Sequence, residues 1–179
     1  MNSKYLGIAD SSFYICFLDD INKPAVLVDV FKNFQFYLTK RLELEIKKSS
    51  NYNIIDNNSS LIQLNFPYDI SEVLRPFFGT SELNKGEHEV IAFSYLIYPK
   101  NKFFILILDE DGPRNFVLKN LSYLSSNLTG TVGFIGKCHC DYKIFQKVYA
   151  KSILANIKNS KFRVVDIVLN SVLKNIERC

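Results

Sequence analysis

An uninterrupted apolar run at residues 103–108 is the sequence feature that most constrains the fold. Strands inside a parallel sheet are covered on both faces, so they are apolar at every position and not only at alternate ones. A helix is predicted immediately before this run, at residues 87–98, because Pro99 ends its apolar periodicity. The run is followed directly by Asp109, Glu110 and Asp111. The sequence therefore predicts a buried parallel strand with acidic residues at its carboxyl end.

Strand-like and helix-like segments alternate along the rest of the chain. Further strands are predicted at residues 5–9, 36–39, 61–66 and at the start of 128–133, and further helices at 13–18, 25–34, 40–48, 114–125, 142–158 and 163–177. This alternation predicts an α/β fold, a three-layer α/β/α sandwich with a central, mainly parallel sheet of about five strands. The 179 residues fit a single domain spanning 1–179, with a helical tail at 142–179 packed on it.

The charge balance is basic but modest. Lys and Arg number 22 and Asp and Glu number 18, a formal net charge of +4. If four acids gather in one site, the remaining surface carries 22 basic against 14 acidic residues, a balance of +8. An acidic hole in a basic surface suits a metal-dependent enzyme that acts on phosphates. The alternative is that the lysines form a scattered, solvated face.

The sequence indicates a protein of the cytoplasm. No apolar run approaches the ~20 residues that span a bilayer, so no membrane association is expected. The chain enters a strand within a few residues of Met1, which does not resemble a signal peptide. The four cysteines, at positions 16, 138, 140 and 179, are too irregular for a disulfide framework and are expected to be reduced thiols. Cys138-His139-Cys140 is a weak zinc signal, since no second pair follows at finger-like spacing.

Acidic residues follow two of the predicted strands and begin one helix. Asp10 ends the first strand, Asp109 ends the run at 103–108, and Glu87 begins the helix between them. Because the carboxyl ends of parallel strands lie at one edge of a sheet, Asp10 and Asp109 are predicted to stand side by side. Asp10 and Glu87 also have purely structural interpretations. Asp10 can cap a helix, and Glu87 complements a helix dipole.

Converging carboxylates require neutralisation. Two charges about 4 Å apart repel by about 4 kcal/mol at an effective dielectric constant near 20. Oxygen-only ligands favour Mg²⁺ or Mn²⁺, and such an ion can activate water against a phosphodiester.

Other catalytic motifs are poorly represented. The glycine-rich segment Gly130 to Gly136 lacks the G-x-G-x-x-G spacing of a dinucleotide site, and no phosphate-loop Lys-Ser/Thr follows it. His88 and His139 are the two histidines, and no G-x-S-x-G elbow accompanies them. Nucleotide binding and Ser/His/Asp chemistry are therefore not predicted.

Five short motifs occur in an order that resembles a known family. They are Ile8-Ala9-Asp10-Ser11-Ser12, Leu44-Glu45-Ile46, Gly86-Glu87-His88-Glu89-Val90-Ile91-Ala92, Leu108-Asp109-Glu110 and Thr129-Gly130-Thr131-Val132-Gly133. Together with the connection at residues 158–162 in the helical tail, they make the chain similar to PIN domains, a nuclease family that includes many toxins of toxin–antitoxin pairs. The resemblance covers about residues 4–136.

The resemblance implies a five-stranded parallel sheet between helices and Mg²⁺- or Mn²⁺-dependent cleavage of RNA. Matched by position, Asp10, Glu45, Glu87 and Asp109 correspond to the metal-binding acids, and Glu89 and Glu110 to further acids that can ligate metal. Thr131 corresponds to a hydroxyl that positions water or phosphate. Glu43 lies two residues before Glu45 in the same motif, so either can be the second acid. Arg114 is the one basic residue close after Asp109 and is expected to contact phosphate.

The leading hypothesis is a metal-dependent endoribonuclease that acts as the toxin of a toxin–antitoxin pair, with an antitoxin protein and a second copy of the chain as partners. The alternatives are a catalytically weak or inactive module that binds RNA or protein, and a nuclease directed at DNA. Phe31, Phe34 and Phe36 either form a surface for the antitoxin or belong to the core.

Overall fold

The computed structural model describes residues 4–56, 58–78 and 85–179. Residues 1–3 of the predicted domain and the loop predicted at residues 79–81 lie outside these ranges. A search of the described segments finds no helix with the length and apolar character needed to cross a bilayer.

Five parallel strands form one central sheet. They are β1 (Tyr5–Ala9), β2 (Phe34–Thr39), β3 (Leu61–Leu64), β4 (Phe104–Ile107) and β5 (Leu128–Thr129), in the spatial order β3-β2-β1-β4-β5. This confirms the predicted α/β class and sheet, and every pairing is parallel. All four residues of β4 are buried, as the apolar run predicts. Phe103 is not part of the strand, and 91% of its surface is exposed.

Helices follow the strands and complete the sandwich. They are α1 (Ser11–Ile15), α2 (Ala25–Phe31), α3 (Lys40–Ile46), α4 (Arg75–Phe78), α5 (Gly86–Ile97), α6 (Asp111–Asn120), α7 (Thr131–Cys140), α8 (Lys147–Lys158) and α9 (Asp166–Arg178). The first helix was predicted to end before Asp19, which is wrong, because it continues as a π-helical turn through Cys16–Asp20. α6 begins three residues earlier than predicted and ends five residues earlier, where a 3-10 turn at Ser122–Leu124 follows.

Neighbouring residues of β2 show how the layers are arranged. Phe36 contacts Phe13 of α1 and Phe134 of α7, at ring-centroid distances of 5.3 and 6.3 Å. Tyr37 contacts Phe93 of α5 at 4.8 Å. Since consecutive strand residues point to opposite faces, α1 and α7 cover one face of the sheet and α5 the other. The tail helices α8 and α9 pack outside α7.

The phenylalanines around β2 belong to the core. Phe31, Phe34 and Phe36 have 2%, 0% and 0% of their surface exposed. The suggestion that they form a partner surface is therefore wrong, and the alternative assignment to the core is confirmed. Their aromatic rings are large apolar groups, which are buried preferentially wherever the sheet face is covered.

Gly7 is expected to tolerate no side chain. It lies opposite Phe36 in the β1–β2 register, and a Cβ atom there would lie 2.6 Å from Cζ of Phe36. The Phe36 ring is enclosed by Phe13 and Phe134 and cannot move aside. Gly7→Ala should therefore reduce the free energy of unfolding by about 1 to 3 kcal/mol in urea denaturation.

Gly112 supplies the matched control for that substitution. It lies in α6, and a Cβ atom there would meet nothing within 4 Å. Gly112→Ala should leave stability unchanged or raise it by up to about 1 kcal/mol, because alanine favours a helix. Equal stability of the Gly7→Ala variant and wild type would contradict the packing described for β1.

The cysteine prediction is partly wrong. Cys140 at the end of α7 and Cys179 at the end of α9 form a disulfide with a Cα–Cα distance of 5.5 Å, whereas Cys16 and Cys138 are free and buried. A zinc site at Cys138-His139-Cys140 is also excluded in this form, since Cys140 is bonded to Cys179. The two sulfurs, 39 residues apart in sequence, meet because α9 packs on α7. Sequence spacing alone does not reveal such a pairing.

Candidate acidic active site

Asp10 and Asp109 meet at the carboxyl edge of the sheet, as predicted. They follow β1 and β4, which pair side by side. The backbone N–H of Asp10 donates to the carbonyl oxygen of Ile107 at 3.1 Å, and the N–H of Asp109 donates to Oδ2 of Asp10 at 3.2 Å. The strand order reverses at β1, since β2 and β3 lie on one side of it and β4 and β5 on the other. Open parallel sheets bind ligands beyond such a reversal point.

Asp10 combines a structural role with deep burial. Its Oδ1 atom accepts a hydrogen bond from the N–H of Phe13 at 3.2 Å, so the carboxylate caps the first turn of α1. Only 4% of the residue is exposed. The capping interpretation is therefore correct for Asp10, but it does not account for a carboxylate that is buried beside a second one.

Thr131 fixes the orientation of the Asp109 carboxylate. The N–H of Thr131 donates to Oδ1 at 2.8 Å, and its hydroxyl donates to Oδ2 at 2.5 Å. Thr131 is fully buried at the first position of α7. The preceding Gly130 permits this close approach, because a Cβ atom there would lie 2.9 Å from Oδ1 of Asp109. Thr131 thus acts directly on an acid of the site.

The guanidinium of Arg114 lies close enough to Asp109 for the two charges to interact. Its Nη1 atom donates to the carbonyl oxygen of Leu108 at 2.7 Å, which holds the guanidinium beside the carboxylate. Its positive charge counteracts the rise in the pKa of Asp109. The expected contact between Arg114 and a phosphate stays a prediction.

Burial and neighbouring charges disfavour ionisation of Asp10. Loss of solvation raises its pKa to about 8, with further contributions from the charges of Asp109 and Glu110. Backbone N–H groups of Asp109 and Phe13 oppose this rise. No ion pair with Asp10 forms within residues 4–56, 58–78 and 85–179. Burial therefore favours the protonated form of Asp10 over the ionised form unless a cation takes the place of the proton.

The pKa of Asp109 is shifted in the same direction as that of Asp10. Burial raises the pKa of Asp109, and the charge of Glu110 adds to the rise. The hydrogen bonds from Thr131 and the charge of Arg114 work against it. Because Thr131 stabilises the ionised form, Asp109 carries the negative charge of the pair more readily than Asp10.

Glu45, Glu87 and Glu110 extend the acidic region. Burial raises the pKa of Glu87, and the charges of Glu110 and Glu45 raise it further. Lys85 opposes this shift and lies 3.7 Å from the Glu87 carboxylate. A Cβ atom on Gly86 would lie 2.8 Å from Oε1 of Glu45, so Glu45 reaches the start of α5 through the space that this glycine leaves. Charge interactions thus connect Glu45 through Glu87 and Glu110 to Asp10.

The structure separates Glu43 from Glu45. Glu43 accepts a hydrogen bond from Gln63 at 2.6 Å and pairs with Lys47 at 2.8 Å, facing the β3 side of the sheet. Glu45, one half-turn further along α3, faces Glu87 instead. Of the two acids in this motif, Glu45 is therefore the one near the acidic site.

Glu89 is held in a different interaction. Its Oε1 atom lies 3.6 Å from Nη1 of Arg41, and Arg41 forms a bidentate contact with Asp69 at 3.2 and 2.7 Å. Only 7% of Glu89 is exposed. The structure therefore places Glu89 against a cation and not beside Asp10 and Asp109.

Tyr14 and Cys16 lie near the pair and were not predicted as site residues. The Tyr14 hydroxyl is buried and has no hydrogen-bond partner among the residues that the structure describes. Burial raises its pKa, and the charge of Asp10 contributes. Burial also raises the pKa of the Cys16 thiol, with a contribution from Asp109. The i, i+4 spacing of Asp10 and Tyr14 is the sequence signal that places them on one side of α1.

The acids suit a hard cation by chemistry but do not form a finished metal site. Within the described segments, no three His, Cys, Asp or Glu side chains are placed so that they could hold a metal ion. The two aspartates are instead oriented by backbone N–H groups and by Thr131. Each carboxylate oxygen has two lone pairs, so these hydrogen bonds leave acceptor capacity for an ion.

Comparisons of the chain with models of protein families, with curated proteins and with solved structures find no significant match. Function is therefore inferred from the geometry of the site and from the motifs.

Proposed function

We propose that this protein is a metal-dependent endoribonuclease of the PIN type. The observation that carries the proposal is the direct contact between Asp10 and Asp109 at the end of adjacent parallel strands. A buried carboxyl group next to a second, half-buried carboxylate, with Arg114 as the positive charge nearby, is costly to stability, so the pair suggests a purpose other than stability. The motifs that contain Asp10, Glu45, Glu87, Asp109 and Thr131 resemble those of PIN nucleases and support the same function.

A divalent cation would replace the proton of Asp10. Asp10 and Asp109 would hold Mg²⁺ or Mn²⁺, and Glu87, Glu45 and Glu110 would supply further negative charge around the ion. Such an ion lowers the pKa of bound water and offsets charge that develops on a phosphodiester. Glu89 is not assigned to the ion, since Arg41 already lies beside it.

The side chains around this position have separate tasks. Thr131 keeps Asp109 in one orientation through two hydrogen bonds. Burial raises the pKa of Glu87, which makes its carboxylate a better acceptor of a proton from water. Arg114 adds positive charge at the edge of the site, where a phosphate would approach.

We further propose that the nuclease is a toxin that an antitoxin protein inhibits by covering the acidic site. This part rests on the resemblance to toxin-like PIN domains, in which pairs of chains are common, so a homodimer belongs to the same proposal. Co-purification of the chain with the product of an adjacent small reading frame, with loss of cleavage in the complex, would support it.

The proposed activity is tested by incubating labelled single-stranded RNA with the protein. Cleavage is expected with Mn²⁺ or Mg²⁺ and should stop when the ions are chelated, because without the ion the charge that develops on the phosphodiester beside these carboxylates is not offset. An equimolar single-stranded DNA competitor distinguishes an RNA-directed from a DNA-directed nuclease. Cleavage that persists in chelator, or an absence of cleavage with both ions, would contradict the proposal.

A second candidate is an inactive PIN-like module that binds RNA or protein without cutting. The lack of a three-residue metal group in the described segments favours it. Such a module would bind the same RNA equally well with and without divalent ions and would leave the RNA intact.

A further inference from the structure

A shallow aromatic groove lies at the opposite edge of the sheet from the acidic site. Its walls are Tyr95, Leu96, Tyr98, Pro99 and Tyr123, and its volume is about 470 Å³. The groove is built by the end of α5 and the 3-10 turn after α6, next to the start of β4. Asp10 and Asp109 lie beyond the ends of the strands, so the two regions are separated by the length of β4. We name it the distal groove.

The loop beside the distal groove presents Lys102 and Phe103 on a backbone that hydrogen bonds hold in place. Lys102 places its ammonium 5.8 Å from the ring centre of Tyr98, and Phe103 is 91% exposed. Asn101 accepts from the N–H of Phe103 at 2.9 Å, and Asn127 donates to the carbonyl oxygen of Lys102 at 2.9 Å. Because these hydrogen bonds hold the loop, a ligand would not pay to order it.

The segments that build the distal groove carry basic residues and no acidic ones. Neither residues 90–108 nor residues 112–140 contain Asp or Glu, whereas both contain Lys or Arg. Lys100 and Lys102 are exposed at the groove. Exposed aromatic rings interleaved with basic residues are characteristic of proteins that bind single-stranded nucleic acid.

We propose that the distal groove binds single-stranded RNA. Bases would stack on Phe103, Tyr98 and Tyr123, and phosphates would lie near Lys100 and Lys102. The choice of RNA over other nucleic acids rests on the proposed function, because RNA is the proposed substrate. The groove would therefore hold a part of the strand that is not being cut.

Charge favours RNA over a second copy of this chain as the occupant. In a two-fold symmetric dimer the same patch faces itself, so Lys100 and Lys102 would approach their own counterparts. Like charges that are brought together destabilise an interface, whereas a polyanion is attracted and releases counterions when it binds. A second copy is accordingly an outcome that the test must detect.

The test measures binding of a fluorescently labelled single-stranded oligouridine by anisotropy in chelator, where no cleavage is expected. Phe103→Ala and Tyr123→Ala should each weaken binding by about five-fold or more, because stacking on one ring is lost. The double variant Lys100→Ala/Lys102→Ala should reduce the slope of log affinity against log salt by about 1.4. Ile167→Ala, which removes an apolar side chain of 79% exposure on α9, away from the groove, should bind like wild type.

Two outcomes would overturn the inference. The first is that both aromatic variants bind RNA with an affinity within about two-fold of wild type. Such a change would be much smaller than the loss expected when stacking on one ring is removed. The other is a dimer in sedimentation that dissociates in Tyr123→Ala, which would assign the groove to a second copy.

Cleavage assays separate this inference from the proposed function. If wild type cuts RNA and the aromatic variants show an unchanged KM, the proposed nuclease activity is supported, and substrate binding at the distal groove is contradicted. If wild type binds RNA through the groove but never cuts it, the binding site at the groove is supported and the proposed nuclease activity is contradicted. If both proposals are correct, the aromatic variants should cleave RNA with a raised KM and an unaltered kcat, because the groove does not touch the reacting atoms.

Discussion

The Asp10→Asn variant is expected to cleave RNA about a hundred- to a thousand-fold more slowly than wild type while remaining folded. Asparagine keeps an oxygen that accepts from the N–H of Phe13, so the cap of α1 survives. It removes the carboxyl group that would exchange its proton for a divalent ion beside Asp109. The measurement is the single-turnover rate of RNA cleavage at saturating Mn²⁺, with circular dichroism as the check on folding.

Asp111→Asn is the matched control for this loss. Asp111 lies two residues beyond Asp109, but it is exposed in the first turn of α6. Its substitution makes the same carboxyl-to-amide change outside the site and should alter cleavage by less than about three-fold, in line with the small effect of an exposed charge. Equal activities of Asp10→Asn and wild type would remove Asp10 from the site.

The same Asp10→Asn substitution should change the pH dependence of stability. The pKa of Asp10 rises from 3.8 to about 8 on folding, so the folded state binds this proton more tightly than the unfolded chain. In the metal-free protein, this residue's contribution to stability is therefore fully present below pH about 4 and is lost as the pH rises to about 8. The loss amounts to at most about 1.4 kcal/mol per pH unit inside that window. Asparagine does not titrate and lacks this contribution.

Urea denaturation of both proteins at pH 5 and pH 8, in chelator, measures this effect. The stability of wild type relative to Asp10→Asn should fall between the two pH values, and the variant should gain most at pH 8. In the variant, the NH2 group of asparagine faces the N–H of Asp109, and the two donors destabilise the fold. This destabilisation is the same at every pH, so it cancels when the two pH values are compared. Parallel pH profiles for the two proteins would show that burial does not disfavour the charge of Asp10.

Removal of the disulfide should have the second large effect. Cys140 and Cys179 close a loop of 39 residues, and the chain-entropy estimate for such a loop is about 4 kcal/mol of stability. Cys179→Ser should therefore lower the free energy of unfolding by about 4 kcal/mol and Tm by about 10 °C. α9 should remain docked in the folded variant, because Leu169 and Ile176 are buried against the rest of the domain.

Reductant provides the control for the disulfide. Dithiothreitol should lower the Tm of wild type to nearly that of Cys179→Ser and leave the variant unchanged. Such a result would assign the stability to the bond and not to the side chain of residue 179. A reductant-insensitive wild type with the same Tm as the variant would show that α9 is held by packing alone.

The sheet was predictable because its signals are local. Residues 103–108 are apolar at every position, and the observed strand β4 lies within them with all four residues buried. Asp10 and Asp109 directly follow strands, and a parallel sheet brings such positions to one edge without further information. The contact between them was therefore predictable from strand order and type.

Features that depend on packing between helices were not predictable in the same way. Whether Glu43 or Glu45 faces α5 is set by the rotation of α3 on the sheet, which two acids at i and i+2 do not reveal. The pairing of Glu89 with Arg41 joins α5 to α3. Similarly, the Cys140–Cys179 bond requires α9 to lie along α7, and no pattern near either cysteine encodes that contact.

Calorimetric titration of Mn²⁺ into the metal-free protein at pH 7 tests the proposed metal site most directly. Burial raises the pKa of Asp10 to about 8, so uptake of the ion at pH 7 should release protons, and the observed heat should change with the ionisation enthalpy of the buffer. Wild type is predicted to bind Mn²⁺ with this proton release, and Asp10→Asn is predicted to bind much more weakly and without it. Absence of Mn²⁺ uptake by wild type, or equal uptake by both proteins, would contradict a metal site at Asp10 and Asp109.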